Sequence, residues 1–484
     1  MYIYREGDIR KIDTEAMEHG LQVNTLMENA GRGLFEKIKK HVHKNMSILI
    51  LAGKGNNGGD GIVLARYLNL NGYKVDLVFP FGMPASVTAA EHFRFYKNLG
   101  FPFSTSIDLE KHYDVIIDSL LGIGTRLPLN ESYVHCINWC NEQSSLRIAV
   151  DLPTGVLADQ GNTEIAFQAD YTYALHGFKP SAFLLPSGNY YGKTEVVDIG
   201  LPHASKWKLW DRTDVATTLS DRSTFSHKGS FGTGLLLAGS DEMPGSALLA
   251  GLGAMRTGIG KLVIGTSNFV ASIISTRLPE ATYWFDGLQK CAKGQLIQGV
   301  RAAAIGPGLN APYLVEEAIN CLWERDIPLL LDAGALMERN YTPREKPVVI
   351  TPHPGEFSRM TGKSIEEIQS NRIQLASEYA INNQMIVVLK GTYTVIAYPD
   401  GTGVINTTGN HCLAKGGSGD TLTGMLLALL CTETDIKSAV ANGVYLHGAC
   451  ADEIVKRKDA RAVSISELTD VLGSVIQKLT VSHQ

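Results

Sequence analysis

An unbroken apolar strand that runs directly into a glycine-rich loop and then a helix restricts the fold of this chain more than any other feature. Ser47-Ile48-Leu49-Ile50-Leu51-Ala52 passes into Gly53-Lys54-Gly55-Asn56-Asn57-Gly58-Gly59-Asp60-Gly61, and Ile62 to Leu70 follow with helical spacing. A strand apolar on both faces belongs inside a parallel sheet. A loop of this kind at its carboxyl end is where open α/β sheets hold phosphates and dinucleotides. The loop is neither a GxGxxG fingerprint nor a Walker loop, because no GK[ST] follows. The alternation repeats through the first half. Residues 8–42 are helical, interrupted at Gly20 and Gly31; residues 73–79 are a strand and 85–99 a helix. The strand 114–118 ends in the loop Ser119 to Arg126, the helix 131–143 follows, and the strand 147–150 ends in Asp151-Leu152-Pro153-Thr154-Gly155. The pattern predicts a doubly wound α/β domain.

Asn57, Asp118, Asp151 and Thr154 all fall at strand ends on the presumed ligand edge. One carboxylate with amide and hydroxyl oxygens forms a weak-field oxygen cage that suits a hard monovalent cation. Zn2+ would ask for His or Cys, and none is at hand. Asn57, Asp118 and Thr154 are the candidates, which leaves Asp151 as an acid or base. A plainer reading makes Asp118 and Asp151 caps of the helices that follow them.

Residues 203–230 are polar, with Trp207 and Trp210 as isolated aromatics, and read as a junction with the tryptophans packing on a domain face. The domains are then 1–210 and 220–484. A second alternation begins at Gly232, with a strand at 235–239, a helix at 245–257 and a strand at 261–264. Apolar runs then end in Gly306-Pro307-Gly308, in Asp332-Ala333-Gly334, in Thr351-Pro352-His353-Pro354-Gly355-Glu356 and in Lys390-Gly391-Thr392. A hairpin turning at Pro399-Asp400-Gly401 precedes Ala414-Lys415-Gly416-Gly417-Ser418-Gly419-Asp420 and the apolar run Met425 to Leu430. Here glycines let several N–H groups converge where a buried helix begins, which makes an anion site. A carboxylate beside a bound phosphate has an evident task in taking the proton from a hydroxyl under phosphorylation. The alternative is that Asp420 is only an N-cap. His353, fixed between two prolines, also ends a strand on this edge.

Composition narrows the partners. The 484 residues suffice for two or three domains, and a net charge of −5 leaves no broad basic field for nucleic acid or an anionic membrane. Seven scattered cysteines without a CxxC pair point to a reducing compartment, with Cys136 and Cys140 as core packing. No apolar stretch approaches the about 18 residues of a membrane span, so a cytoplasmic protein is expected; a homo-oligomer is a separate expectation.

Leu26-Met27-Glu28-Asn29-Ala30-Gly31, Asn56-Asn57-Gly58-Gly59-Asp60-Gly61, the Asp118 to Arg126 stretch and Asp151-Leu152-Pro153-Thr154-Gly155 resemble, in order, the YjeF N-terminal family, the NAD(P)H-hydrate epimerases. Lys179-Pro180 and Val197-Asp198-Ile199-Gly200-Leu201-Pro202 resemble that family's closing strands. The resemblance covers about residues 1–205 and implies a Rossmann-like domain. It implies that Asn56, Asn57, Gly58, Gly59, Asp60, Gly122, Ile123, Gly124, Thr125, Arg126, Leu127, Pro128, Tyr133 and Asp151 contact the hydrated nucleotide. It assigns K+ to Asn57, Asp118 and Thr154, the same residues as the cage above. His227-Lys228-Gly229, Gly306-Pro307-Gly308, Thr351 to Phe357, Lys390-Gly391-Thr392 and Gly416 to Asp420 resemble the YjeF C-terminal family of ribokinase-like NAD(P)H-hydrate dehydratases, over about 225–480. This second resemblance implies that Ala247, Gly308, His353 and Asp420 contact the hydrate. Lys390, Gly391, Thr392, Tyr393, Thr394, Gly416, Gly417, Ser418 and Gly419 would hold ADP or ATP with Mg2+. Asp332-Ala333-Gly334 departs from the family's Asp-Ala-Asp, and no role is assigned to Gly334.

The two resemblances together imply repair of NADHX and NADPHX, the cofactors with water added across the 5,6 double bond. Asp420 would be the base that lets the C6 hydroxyl take a phosphoryl group from ADP or ATP. Asp151 would assist R/S interconversion. A fused chain resembles the bacterial form and favours ADP. Two rivals stand beside this: a true kinase for a small alcohol in the second half, and a binding or assembly module in the first.

Overall fold

In the first half the apolar runs form seven strands of one parallel sheet in the computed structural model, which describes residues 1–480. They are β1 (Ser47–Ala52), β2 (Lys74–Val78), β3 (Phe103–Ser104), β4 (Val115–Ser119), β5 (Leu146–Val150), β6 (Tyr171–Leu175) and β7 (Lys193–Val197). Their order across the sheet is β3-β2-β1-β4-β5-β6-β7. The chain therefore steps one way from β1 and then returns to its other side. That switch point opens a crevice beyond the carboxyl ends of β1 and β4, between the loops after Ala52 and Ser119.

The helix after β1 starts earlier than its spacing predicts, at Asn56 rather than Ile62, so Asn56 and Asn57 stand in its first turn. Glycine permits this because a β-carbon on Gly58 would strike the carbonyl of Gly53. Residues 8–42 divide into helices Glu6–Glu18 and Val23–Ile38. Gly20, at φ +95°, makes the break, whereas Gly31 lies inside the second helix, where a side chain would strike Val63. Cys136 and Cys140 pack in the core beside Leu49, Leu51 and Ile116.

The chain divides into two compact units: Met1–Ser205 with Gln369–Asn371, and Lys206–Ile368 with the residues from Arg372 on. Trp207–Trp210 is a strand of the second unit, β8, which corrects the reading of these residues as a linker. It pairs in parallel with Gly403–Asn406, and both tryptophans are buried. The helix Arg212–Thr218 follows, capped by Asp211. Four residues bordered by polar ones carry too little pattern to be read as a strand.

The second sheet continues with β9 (Thr233–Leu237), β10 (Lys261–Thr266), β11 (Thr282–Phe285), β12 (Ala302–Ile305), β13 (Leu329–Leu331), β14 (Val348–Ile350), β15 (Ile386–Leu389), β16 (Thr394–Ala397) and β17 (Gly403–Asn406). Within this unit the order is β8-β17-β16-β15-β14-β13-β12-β9-β10-β11. All neighbours are parallel except in the predicted hairpin, where β16 runs against β15 and β17. The switch point lies between β9 and β12. The helix Ser418–Thr432 buries every residue from Thr421 to Cys431. It crosses the helix Pro244–Thr257 so closely that a β-carbon on Gly424 would strike the carbonyl of Ala250, and one on Gly253 that of Thr421. Among the described residues no helix is long and apolar enough to cross a membrane.

Candidate functional site

At the first switch point lies a cavity of about 510 Å³. Asn56, Asn57, Asp60, Gly122, Ile123, Gly124, Thr125, Tyr133 and Asp151 line it. Gly58 and Gly59 stand behind its wall, where they let the helix pack on Gly53 and Met27, and Arg126, Leu127 and Pro128 lie beyond it. Tyr133 is held by stacking on Phe81, with ring centroids 3.8 Å apart.

Asp151 is the chemical centre. Its backbone has φ +68°, a left-handed conformation that Asp tolerates better than most side chains. Its Oδ1 accepts the N–H of Leu175 at 3.0 Å and the ammonium of Lys179. Lys179 is almost wholly buried and also donates to the carbonyls of Leu175, at 3.0 Å, and Gly177, at 3.2 Å. A lysine has three N–H groups, and all three are spent. Lys179 is therefore the fixed counter-ion of Asp151. The sequence showed it only as part of the Lys179-Pro180 pair, since the loop after β6 must close on that after β5 before the ion pair exists.

Beneath the cavity, Asp118 and Thr154 are fully buried. Asp118 accepts from the N–H and the hydroxyl of Thr154, both at 2.7 Å, and from the N–H of Leu120 at 3.1 Å. The hydroxyl of Thr154 in turn accepts the N–H of Leu121 at 3.1 Å, and the Leu121 carbonyl accepts from the Asn57 amide at 2.8 Å. The three predicted cage residues thus form one connected group. Burial pushes the Asp118 carboxyl up to about 6 against these hydrogen bonds. The Asn57 Oδ1 is buried without a partner. An orphaned oxygen in the same hydrogen-bonded group as a buried carboxylate with no ion pair among the described residues is the environment that a cation relieves.

At the second switch point, Asp420 is the third residue of the helix Ser418–Thr432 rather than the residue before it, with Gly417 at φ +92° as its cap. Ser246, at the start of the helix Pro244–Thr257, gathers the predicted residues. Its side chain lies beside Asp420, and it packs where any side chain on Gly308 would stand. Ala247 is the next residue and is fully buried. Burial, together with Asp332, raises the Asp420 carboxyl above its usual range, while Ser246 and Lys390 oppose the rise.

Lys390 bonds Asp332 at 2.9 Å and lies 3.8 Å from Glu356. Burial would lower its pKa, but these two carboxylates raise it, so the ammonium stays charged. Asp332 also accepts the hydroxyls of Thr351, at 2.8 Å, and Thr423, at 2.7 Å. Gly391 lies against the guanidinium of the buried Arg372, which donates to the carbonyls of Leu389 and Tyr393 and fixes the 390–394 loop. Gly334 is required by packing, because a side chain there would strike the carbonyl of Leu309. His353 acts locally: its Nδ1 accepts the N–H groups of Gly355 and Glu356 at 3.0 and 3.3 Å and so caps the helix Pro354–Thr361. Its Nε2 lies 3.5 Å from Glu356 Oε1.

Residues 23–181 match the family model described as YjeF-related protein N-terminus, and residues 234–473 match that of NAD(P)H-hydrate dehydratase. A protein of Moorella thermoacetica named bifunctional NAD(P)H-hydrate repair enzyme is 33% identical, over 99% of this chain and 97% of its own length. The chain belongs to the bifunctional NAD(P)H-hydrate repair enzymes. Within this family the second unit also has stand-alone relatives. The ADP-dependent (S)-NAD(P)H-hydrate dehydratase of Bacillus subtilis is 55% identical over 55% of this chain and 97% of its own. A solved ADP/ATP-dependent dehydratase from the same organism, co-crystallised with ATP and Mg2+, superposes with a TM-score of 0.56 at 53% identity, over 57% of this chain and all of that one. A ribokinase-like protein of Enterococcus faecalis, 22% identical with a TM-score of 0.51 over 57% of this chain and 98% of its own, shares the fold. The repair-enzyme family thus accounts for both α/β units.

Proposed function

We propose that this chain repairs hydrated nicotinamide cofactors in two steps: it interconverts the R and S hydrates in the first unit and dehydrates the S form in the second, at the expense of ADP or ATP. The observation that carries the reading is the position of Asp420. A half-buried carboxylate sits in the first turn of a helix whose N-terminal N–H groups suit an anion, with the charged Lys390 nearby. Asp420 takes the proton of the C6 hydroxyl, and that oxygen forms a bond to the terminal phosphorus of the nucleotide as the diphosphate bond breaks. The N–H groups of Gly416 to Asp420 stabilise the charge that develops. The ring nitrogen's electron pair then expels phosphate, and loss of a C5 proton restores the double bond. Among the described residues no group of three or more His, Cys, Asp or Glu is placed to hold a metal. Mg2+ fits here as a partner of the phosphate oxygens and neutralises part of their charge.

Complete recovery of absorbance at 340 nm from an R/S mixture of NADH hydrate, with ADP or ATP, is the expected result. Recovery that stops at the S fraction reduces the first unit to a binding module. A stable phosphorylated product instead of NADH makes the second unit a kinase.

K+ fits the group formed by Asn57, Asp118 and Thr154, and the unpartnered Asn57 Oδ1 supports this. A ligand at ten times its dissociation constant stabilises by about 1.4 kcal/mol, a rise of roughly 3–5 °C in melting temperature for a unit of this size. K+ is expected to give that rise relative to Li+, and Asn57→Ala to lose it. Equal melting temperatures in the two salts refute the site.

A further inference from the structure

The first cavity holds carboxyl oxygens that the ion pair at its centre does not use. The Oδ1 of Asp151 is committed to Leu175 and Lys179, while its Oδ2 has no hydrogen bond among the described residues, and Lys179 has no N–H to spare. The pair therefore offers a ligand one acceptor and no proton. Reversible interconversion at C6 needs a proton donor as well as an acceptor.

Two other carboxyl groups line the cavity, Asp13 and Asp60. Among the described residues neither side chain has a hydrogen bond or ion pair. Asp60 is nearly buried, deep in the first turns of the helix after β1. Asp13 is half-buried on the helix Glu6–Glu18, which contributes Ile9, Ile12, Asp13 and Met17 to the cavity wall. That helix buries none of its residues fully: Ile12 and Ala16 rest on the core, while Ile9, Asp13 and Met17 border the cavity. Both line the cavity, and Asp13 is the more exposed of the two, so its proton exchanges with solvent more readily.

We propose that Asp13 is the acid of the epimerase, acting on the ring nitrogen N1 while Asp151 acts on the C6 hydroxyl. This rests on the epimerase reading of the first unit. In the forward step the hydroxyl gives its proton to Asp151 Oδ2 and the C6–N1 bond breaks. The electron pair stays on N1, which takes the proton of Asp13, and C6 becomes an aldehyde. After rotation about C5–C6, N1 attacks the other face of the carbonyl. Asp13 recovers its proton from N1, and Asp151 returns its proton to oxygen. Nothing is oxidised or reduced, and both side chains end as they began.

The electrostatics agree with a protonated partner. Burial and then the charge of Asp151 raise the Asp13 carboxyl, against Lys179 and Arg10. Asp60, Lys54, Tyr133 and His176 complete the titratable groups of the cavity wall.

The test follows R-to-S conversion of NADH hydrate by chromatography, without nucleotide, in the full-length chain. Asp13→Asn is expected to lower kcat at least ~100-fold with KM within ~3-fold, while dehydration of the pure S form with ADP and the thermal melt of the first unit are unchanged and report that both units are folded. The wild-type rate falls as pH rises through the Asp13 pKa, because the acid form is consumed. Asp13→Asn lacks that fall, and Asp13→Glu restores it. Interconversion by Asp13→Asn within ~3-fold of wild type, or a change confined to KM, overturns the assignment. A wild-type chain that does not interconvert the epimers overturns the epimerase reading itself, a result distinguishable from failure of Asp13 alone.

Discussion

Asp420→Asn is expected to lower the dehydration rate by ~10³-fold or more while nucleotide affinity stays within about threefold. The amide has the shape of the carboxylate and can still reach the Ser246 side chain, but it cannot accept a proton from the substrate hydroxyl. The N–H groups that receive the phosphates belong to the backbone and are unchanged. The raised pKa of Asp420 sets the sign of a second effect. A carboxyl held above its unfolded pKa costs stability once ionised, so removing the charge leaves the protein at least as stable at neutral pH. Wild-type turnover falls as the pH drops through the Asp420 pKa, since the base must be ionised. Absorbance at 340 nm with pure S hydrate gives the rate, and titration calorimetry with ADP gives the affinity. Turnover within tenfold of wild type would remove Asp420 from the role of base.

The second large effect concerns Lys179. Replacing one partner of a buried ion pair strands the other, at a cost of about 3–5 kcal/mol. Lys179→Met is therefore expected to lower the melting temperature of the first unit by roughly 10 °C or more, and to abolish interconversion because Asp151 is no longer held in place. Lys179→Met combined with Asp151→Asn recovers much of the stability and none of the epimerisation. Thermal melts of the single and double variants test this, and a single variant with wild-type stability would show that the pair is not buried in solution.

The two prolines of Pro352-His353-Pro354 and the glycine loops were legible because they act locally. Parallel strands buried on both faces read as continuous apolar runs, which is why the strands that lead to Asn57, Asp118 and Asp151 were found in the right places. Asn57, Asp118 and Thr154 were picked out by oxygen chemistry alone, and the fold joins them. Lys179, Ser246, Asp13 and Arg372 were not singled out. Each acts on a residue far away in sequence, and nothing in its neighbours marks it. The helix starts at Asn56 and Ser418 were missed by a few residues because glycine runs resemble loops until packing shows that they are close helix contacts. Strand β8 and the short elements between Ser267 and Ala292 escaped because four to seven residues hold too few turns of any period.

The close crossing of the helices at Gly253 and Gly424 bears on how a nucleotide is received. Gly424 lies one turn beyond Asp420, and its backbone has no slack against Ala250. The first-turn amides are therefore aimed before any phosphate arrives. Their ordering entropy belongs to folding rather than to binding, and little reorganisation is left for the moment of phosphoryl transfer.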